Sequence, residues 1–343
     1  MSRINAPTSS DAAPVLELID AFRRSKAMFV GVSMRIFDRL EEEPASAAAL
    51  AAELEVNADA LERLLDTLTS MFLLRKDGAE YRNTETASTF LVAASPHSMR
   101  GYILYSNDVL YKLWDNLEDA IREGSHRWRQ SFGLEGPIFS SFFQTDDAML
   151  TFLMGMHGFG QLSSPAVVKS FDLSRFQTFC DLGGATGHLV LAALDQYPQM
   201  RGILFELTAV ADFARARLAK HPQASRLWIT EGDFFTDDLP PADLYALGRI
   251  LHDWNEEKIR ILLGKIHAAL PSGGGVLIAE KILFEDKSGP MAGLLQSLHM
   301  LVCTEGKERT LAEYSRLLEQ AGFRQISGVR TGAPVDAILA IKE

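Results

Sequence analysis

Apolar residues recur at helical spacing from Pro14 to Leu40, with Val15, Leu16, Leu18, Ile19 and Phe22 followed by Met28, Phe29, Val30, Met34 and Phe37. So broad an apolar face predicts packed helices, against a partner subunit or against the rest of the chain. Ser46 is placed to cap a short Ala/Leu helix reaching Leu54. Asn57 is placed to cap a second, Ala58 to Phe72, with Leu61, Leu64, Leu65 and Leu68 on one face. Arg75 to Tyr81 then reads as strand, Asp77-Gly78 turn and return strand. Two short helices and a hairpin predict a winged helix. From Gly101 to Gly160 the pattern is helical and crowded with aromatic and methionine side chains, including Trp114, Phe143 and Met156. It predicts packing, or an apolar lining for a flat ligand. Beyond Phe171 the period shortens. Strand-like runs at 178–182, 202–207, 227–231, 243–251, 275–282, 324–329 and 337–342 have helical segments between the first five. That alternation predicts a doubly wound, mostly parallel α/β sheet with its last strand antiparallel, binding its ligand beyond the carboxyl ends of the strands. Three segments result: a winged-helix domain at 1–100, a helical connector at 101–170 and the α/β domain at 171–343.

Composition narrows the partners. The 343 residues carry a formal charge of −11, against association with nucleic acid or an anionic membrane. Residues 41–90, the winged-helix stretch, hold eleven acidic residues and four basic ones, a net of −7. A DNA-reading helix needs the opposite sign, so a DNA-binding regulator is the disfavoured alternative. The two cysteines, Cys180 and Cys303, lie far apart and match no metal spacing. Met1 to Ala12 lacks an apolar core, and no apolar run is long enough to span a bilayer, so the expected location is cytoplasmic.

The chemistry gathers at the strand ends. Asp181-Leu182-Gly183-Gly184-Ala185-Thr186-Gly187 closes the first strand of the sheet. A dinucleotide turn has glycines at offsets 0, 2 and 5, whereas here they fall at 0, 1 and 4. The pattern resembles instead the first motif of S-adenosylmethionine (SAM) methyltransferases, with Ala185 at the middle glycine. Glu206 ends the second strand, where an acid accepts hydrogen bonds from ribose hydroxyls. Gly232-Asp233-Phe234 follows the third, an acid beside a ring that suits an adenine amine and base face. The fourth runs into Arg249-Ile250-Leu251-His252-Asp253-Trp254, and His252 there is a candidate general base. Glu280 and Glu308 are candidates to orient that imidazole, or are solvated acids. His126 and His157 read as hydrogen-bonded packing residues.

Asp181–Gly187, Gly232–Phe235, Arg249–Trp254 and Glu305–Thr310, with Tyr81–Glu85, Phe171–Ser174, Met300–Val302 and Asp336–Ala340, together resemble the small-molecule O-methyltransferases, particularly the acetylserotonin (hydroxyindole) type and its paralogue. The resemblance covers nearly the whole chain. It implies a homodimer formed through the winged-helix domain and a Rossmann-like SAM-binding sheet. It also implies methyl transfer from SAM to a hydroxyl of a small aromatic molecule, without a metal. By position it carries His252 over as the base and Glu280 and Glu308 as flanking acids. Gly183, Glu206, Gly232, Asp233, Phe234, Arg249 and Phe143 become cofactor contacts, and Met156, His299 and Met300 line the acceptor pocket. The chain departs from the family in having Glu206-Leu207-Thr208 where Asp-Leu-Pro is usual, and His299 where acetylserotonin-type members usually have Asn. A different SAM-dependent reaction on the same scaffold is the alternative reading.

Overall fold

The computed structural model describes residues 11–135 and 145–343. The chain divides into two compact units, Met1–Asp108 and Val109–Glu343. In the first, α1 (Ala13–Ser33) leads into α2 (Ile36–Glu42), β1 (Ala45–Ser46), α3 (Ala47–Glu53), α4 (Ala58–Ser70) and the hairpin β2 (Leu74–Asp77) and β3 (Glu80–Asn83). Both expected caps form. The Ser46 hydroxyl accepts the Ala49 N–H at 3.2 Å and the Asn57 side chain accepts that of Ala60 at 2.9 Å. Leu61, Leu65 and Leu68 of α4 are buried, and β1 joins the hairpin in a three-stranded sheet of order β1-β3-β2. This is a winged helix. On α1, by contrast, Val15, Leu16, Leu18, Ile19 and Phe22 are exposed, Leu18 to 75%.

The second unit is built on a seven-stranded sheet: β4 (Thr178–Leu182), β5 (Arg201–Glu206), β6 (Leu227–Glu231), β7 (Leu244–Gly248), β8 (Gly275–Glu280), β11 (Arg324–Val329) and β12 (Asp336–Ile341). Between β8 and β11 lies a short parallel pair, β9 (Ile282–Leu283) and β10 (Arg309–Thr310). The order β11-β12-β8-β7-β4-β5-β6 puts β4 at the reversal of winding, and only β12 runs antiparallel. The central strands are apolar on both faces because helices cover both. Tyr245, Leu247 and Ile278 pack on Ile259, Leu262 and Leu317, while Phe179, Leu204 and Leu277 pack on Leu189, Val190 and Leu194. The short helices Tyr111–Trp114, Leu117–Glu123 and Trp128–Phe132 and the long helix Asp146–Val168 precede the sheet in this unit.

Two strands are shorter than their hydrophobic runs. The run 243–251 leaves the sheet after Gly248, where Arg249 adopts φ +59° and a 3₁₀ turn, Leu251–Asp253, follows. The run 275–282 breaks at Lys281. There the buried carboxylate of Asp336 accepts the Ile282 N–H and pairs with the Lys281 ammonium at 3.2 Å. Both breaks sit at the carboxyl ends of strands.

Candidate active site

The glycine turn after β4 is held by backbone. Gly183 donates to the Phe205 carbonyl at 2.9 Å with φ +69°, and a Cβ there would lie 2.7 Å from Ile250. A left-handed conformation and a close neighbour both require glycine at this position. Buried Asp181 accepts the Val190 N–H at 3.2 Å, tying the strand end to the helix His188–Gln196. Glu206 reaches back across the turn. One carboxylate oxygen accepts the Ala185 N–H at 2.6 Å and the other that of Leu207 at 3.0 Å, leaving each a lone pair for a further donor. Burial lifts its pKa to about 7, opposed by those two amides. Gly232 donates to the Glu206 carbonyl at 2.9 Å. Asp233 caps the Phe235 N–H, and the half-buried Phe234 ring meets Phe235 edge-on. Gly183, Glu206, Gly232, Asp233 and Phe234 thus lie at the carboxyl ends of β4, β5 and β6.

His252 sits in the 3₁₀ turn after β7 and is buried. Its Nδ1 is 2.6 Å from a carboxylate oxygen of buried Glu308, and its Nε2 is 3.7 Å from Asp253. Glu280 does not share the imidazole. One of its oxygens accepts the N–H groups of Ile250, Leu251 and His252 at 3.1, 2.5 and 3.2 Å, and the other accepts the Tyr314 hydroxyl. It shapes the turn that carries the histidine. Glu308 is delivered by the segment before β10. Gly306 packs so closely that a Cβ would lie 2.2 Å from the His252 carbonyl, and Arg309 donates to the carbonyls of Leu251 and Trp254. Burial pushes Glu308 up to about 8, against the pull of Arg249 and Arg309, and burial lowers His252 below the ordinary imidazole value. His252, Glu280 and Glu308 bring possible metal-ligand atoms within 4.8 Å of one another. The four hydrogen bonds on Glu280 and the engagement of Nδ1 already occupy much of that donor set.

On the helix Met291–Cys303, His299 accepts the Trp114 indole N–H at Nδ1, 3.0 Å away. An indole only donates, so His299 is neutral with its proton on Nε2, and burial holds its pKa down to about 3. Met300 on the same helix is buried, and Met156 is half-buried on the helix Asp146–Val168. Phe143 lies outside the described residues. His157, which reads as packing in the sequence, is more specific. The Arg217 guanidinium donates to its Nε2 at 2.9 Å, so Nδ1 donates to buried Thr186 in the glycine turn, 2.8 Å away. Gly306 and Arg309, which place the acid and the turn, fall within the Glu305–Thr310 motif but are given no role by it, and Tyr314 is not singled out by any sequence pattern.

A doubly wound sheet with a glycine turn at its switch point, acids at the next two strand ends and a buried imidazole–carboxylate pair defines a nucleoside-binding enzyme of the class I methyltransferase type. An O-methyltransferase domain model matches residues 114–324 and an O-methyltransferase dimerisation domain model residues 16–93. The chain belongs to the SAM-dependent O-methyltransferase family. It is 40% identical to the acetylserotonin O-methyltransferase of Bos taurus, over 95% of this chain and 96% of that one. It is also 40% identical to a Homo sapiens protein described as a probable bifunctional dTTP/UTP pyrophosphatase/methyltransferase, covering 96% of this chain and 53% of that one. The crystal structure of human N-acetylserotonin methyltransferase in complex with SAM superimposes with a TM-score of 0.92 at 37% identity, covering 98% of this chain and 99% of that one. Among the described residues no helix is long and apolar enough to cross a membrane.

Proposed function

We propose that the protein moves the methyl group of SAM to a hydroxyl of a small aromatic molecule, with His252 as general base and no metal in the step. The observation that carries this reading is the buried 2.6 Å contact between His252 and Glu308 at the mouth of β7. A carboxylate on Nδ1 fixes the tautomer and leaves Nε2 to take the hydroxyl proton. Bound SAM supplies a methyl group on a sulfonium leaving group. The chain's own work is to align the acceptor oxygen, keep water out and remove one proton.

The crevice suits such a donor. Glu206 keeps a free lone pair on each oxygen for ribose hydroxyls, and Gly183 leaves room where a Cβ would clash. Gly232, Asp233 and Phe234 form the adenine end, Arg249 faces the other end, and Phe143 is a further contact by resemblance. Met156, His299 and Met300 line the acceptor side. Glu280 and Glu308 act on His252 rather than on the acceptor, one through the backbone and one through the ring. The dimerisation domain and the bare apolar stripe of α1 support a homodimer.

The test is His252→Ala, assayed with labelled SAM against a panel of phenols and hydroxyindoles. Turnover should fall by about 10²–10⁴-fold while S-adenosylhomocysteine still binds. Unchanged turnover on the preferred acceptor would remove His252 from proton transfer.

A further inference from the structure

His188 is the first residue of the helix that follows the glycine turn. Its ring lies against Gly160 of the helix Asp146–Val168, in the volume a side chain would take. A Cβ on Gly160 would lie 2.2 to 2.4 Å from Cδ2, Nε2 and Cε1 of the imidazole. Any other residue at 160 would displace the ring. Ser164, one turn on, fixes its protonation. The Ser164 hydroxyl donates to the Gly160 carbonyl at 2.7 Å, so its oxygen faces Nδ1 of His188, 2.9 Å away, as an acceptor. Nδ1 therefore carries the proton, and Nε2 is a bare lone pair with no hydrogen-bond partner among the described residues. Burial first, then His157 and Arg249, hold the imidazole down to about 3, so it stays neutral.

Beside it lies a small cavity with largely apolar walls, Phe159, Val167, Leu189 and Val335 among them, which His188 and Arg249 also line. The Arg249 guanidinium rests over the Phe159 ring, 5.2 Å from its centroid, and makes no ion pair with a carboxylate among the described residues. Its backbone is held in the left-handed region at φ +59°, which an arginine adopts only when its surroundings enforce it. A guanidinium that acts on Glu308 only at longer range, with no direct ion pair among the described residues, stands beside an imidazole lone pair with no donor among them. The ligand group that complements both carries a carboxylate and an ammonium on one carbon. The cavity is on the β7–β8 side of the glycine turn, and Glu206 is on the β5 side. A molecule with a nucleoside at one end and an amino acid at the other would have one end on each side of the turn.

We propose that His188 is a donor-recognition residue of this chain, its Nε2 accepting a hydrogen bond from the α-ammonium of SAM while Arg249 takes the carboxylate. This rests on the reading of the crevice as a SAM site. The experiment compares S-adenosylhomocysteine with 5′-methylthioadenosine, which lacks the amino-acid end, by calorimetry on the wild type, His188→Ala and His188→Phe. The phenylalanine keeps a ring against Gly160. In both variants S-adenosylhomocysteine should bind about tenfold more weakly, while 5′-methylthioadenosine changes by less than about twofold. Equal weakening of both ligands would make His188 a packing residue, and unchanged S-adenosylhomocysteine binding would remove it from recognition. Either result overturns the assignment. A wild type that binds neither nucleoside would overturn the SAM reading itself, so the two failures are told apart.

Discussion

Three acids near one histidine do different work, and their partners say which. Glu308 meets the ring, Glu280 meets the backbone, and Asp253 stands 3.7 Å from Nε2. With Glu308 raised to about 8 and His252 lowered, the pair holds one proton more at neutral pH than general-base action allows. Raising the pH through about 8 removes that proton and frees Nε2. Acceptor kcat/KM should therefore climb with pH and level off only above about 8. In Glu308→Gln the pair is gone, so the limb should move to the acid side of 6.5 with a lower plateau, seen in a pH–rate profile. Glu280→Gln should act on the fold instead. The amide oxygen can still accept the three buried N–H groups while its NH2 faces the Tyr314 hydroxyl, and exchanging a charged acceptor for a neutral one costs about 1–3 kcal/mol, read as a lowered denaturant midpoint. His252 is legible in the sequence because a histidine after an apolar strand faces the crevice. Which acid serves it is not, because that acid lies 56 residues downstream. His188 is illegible for the same reason: its tautomer is set by Gly160 and Ser164 on another helix.

At the scale of elements, the sheet can be read from its apolar runs almost strand by strand. What the runs do not show is where β7 and β8 stop. Leu251 and Ile282 continue the hydrophobic pattern, and only the carboxylates of Glu280 and Asp336, which capture the backbone N–H groups beyond, end the ladders. Gly306 tests how this region delivers its acid. Gly306→Ala must shift the 304–308 segment off the His252 carbonyl, which a Cβ at 306 would approach to 2.2 Å, and draw Glu308 from the imidazole. Turnover should fall about as far as in Glu308→Gln, with S-adenosylhomocysteine affinity kept; a normal pH–rate profile would contradict this. Gly183→Ala should do the reverse. It forces a left-handed alanine against Ile250, at a backbone cost of about 1–2 kcal/mol, and should weaken nucleoside binding in calorimetry.

At the scale of the whole molecule, the winged helix is legible in outline, and the net charge of −7 over residues 41–90 by itself argues against DNA. The spacing of apolar residues on α1 marks a greasy face, but spacing alone does not say whether a second subunit or the same chain covers it. In the folded chain Leu18 and Phe22 remain bare. Leu18→Glu with Phe22→Asp should accordingly halve the mass seen by light scattering at micromolar concentration, whereas a wild type already at the single-chain mass of 37.9 kDa would rule out the dimer. The pairing of β9 with β10 has a consequence of its own. It buckles shut a detour of the chain, residues 284–308, whose inner helix bears His299 and Met300 and whose far end bears Glu308. The residues assigned to the carrier nucleoside lie earlier, apart from that detour. Rewriting the detour's interior between its two fastened ends would then retune which hydroxyl-bearing guest is admitted, with the carrier's berth left as it stands.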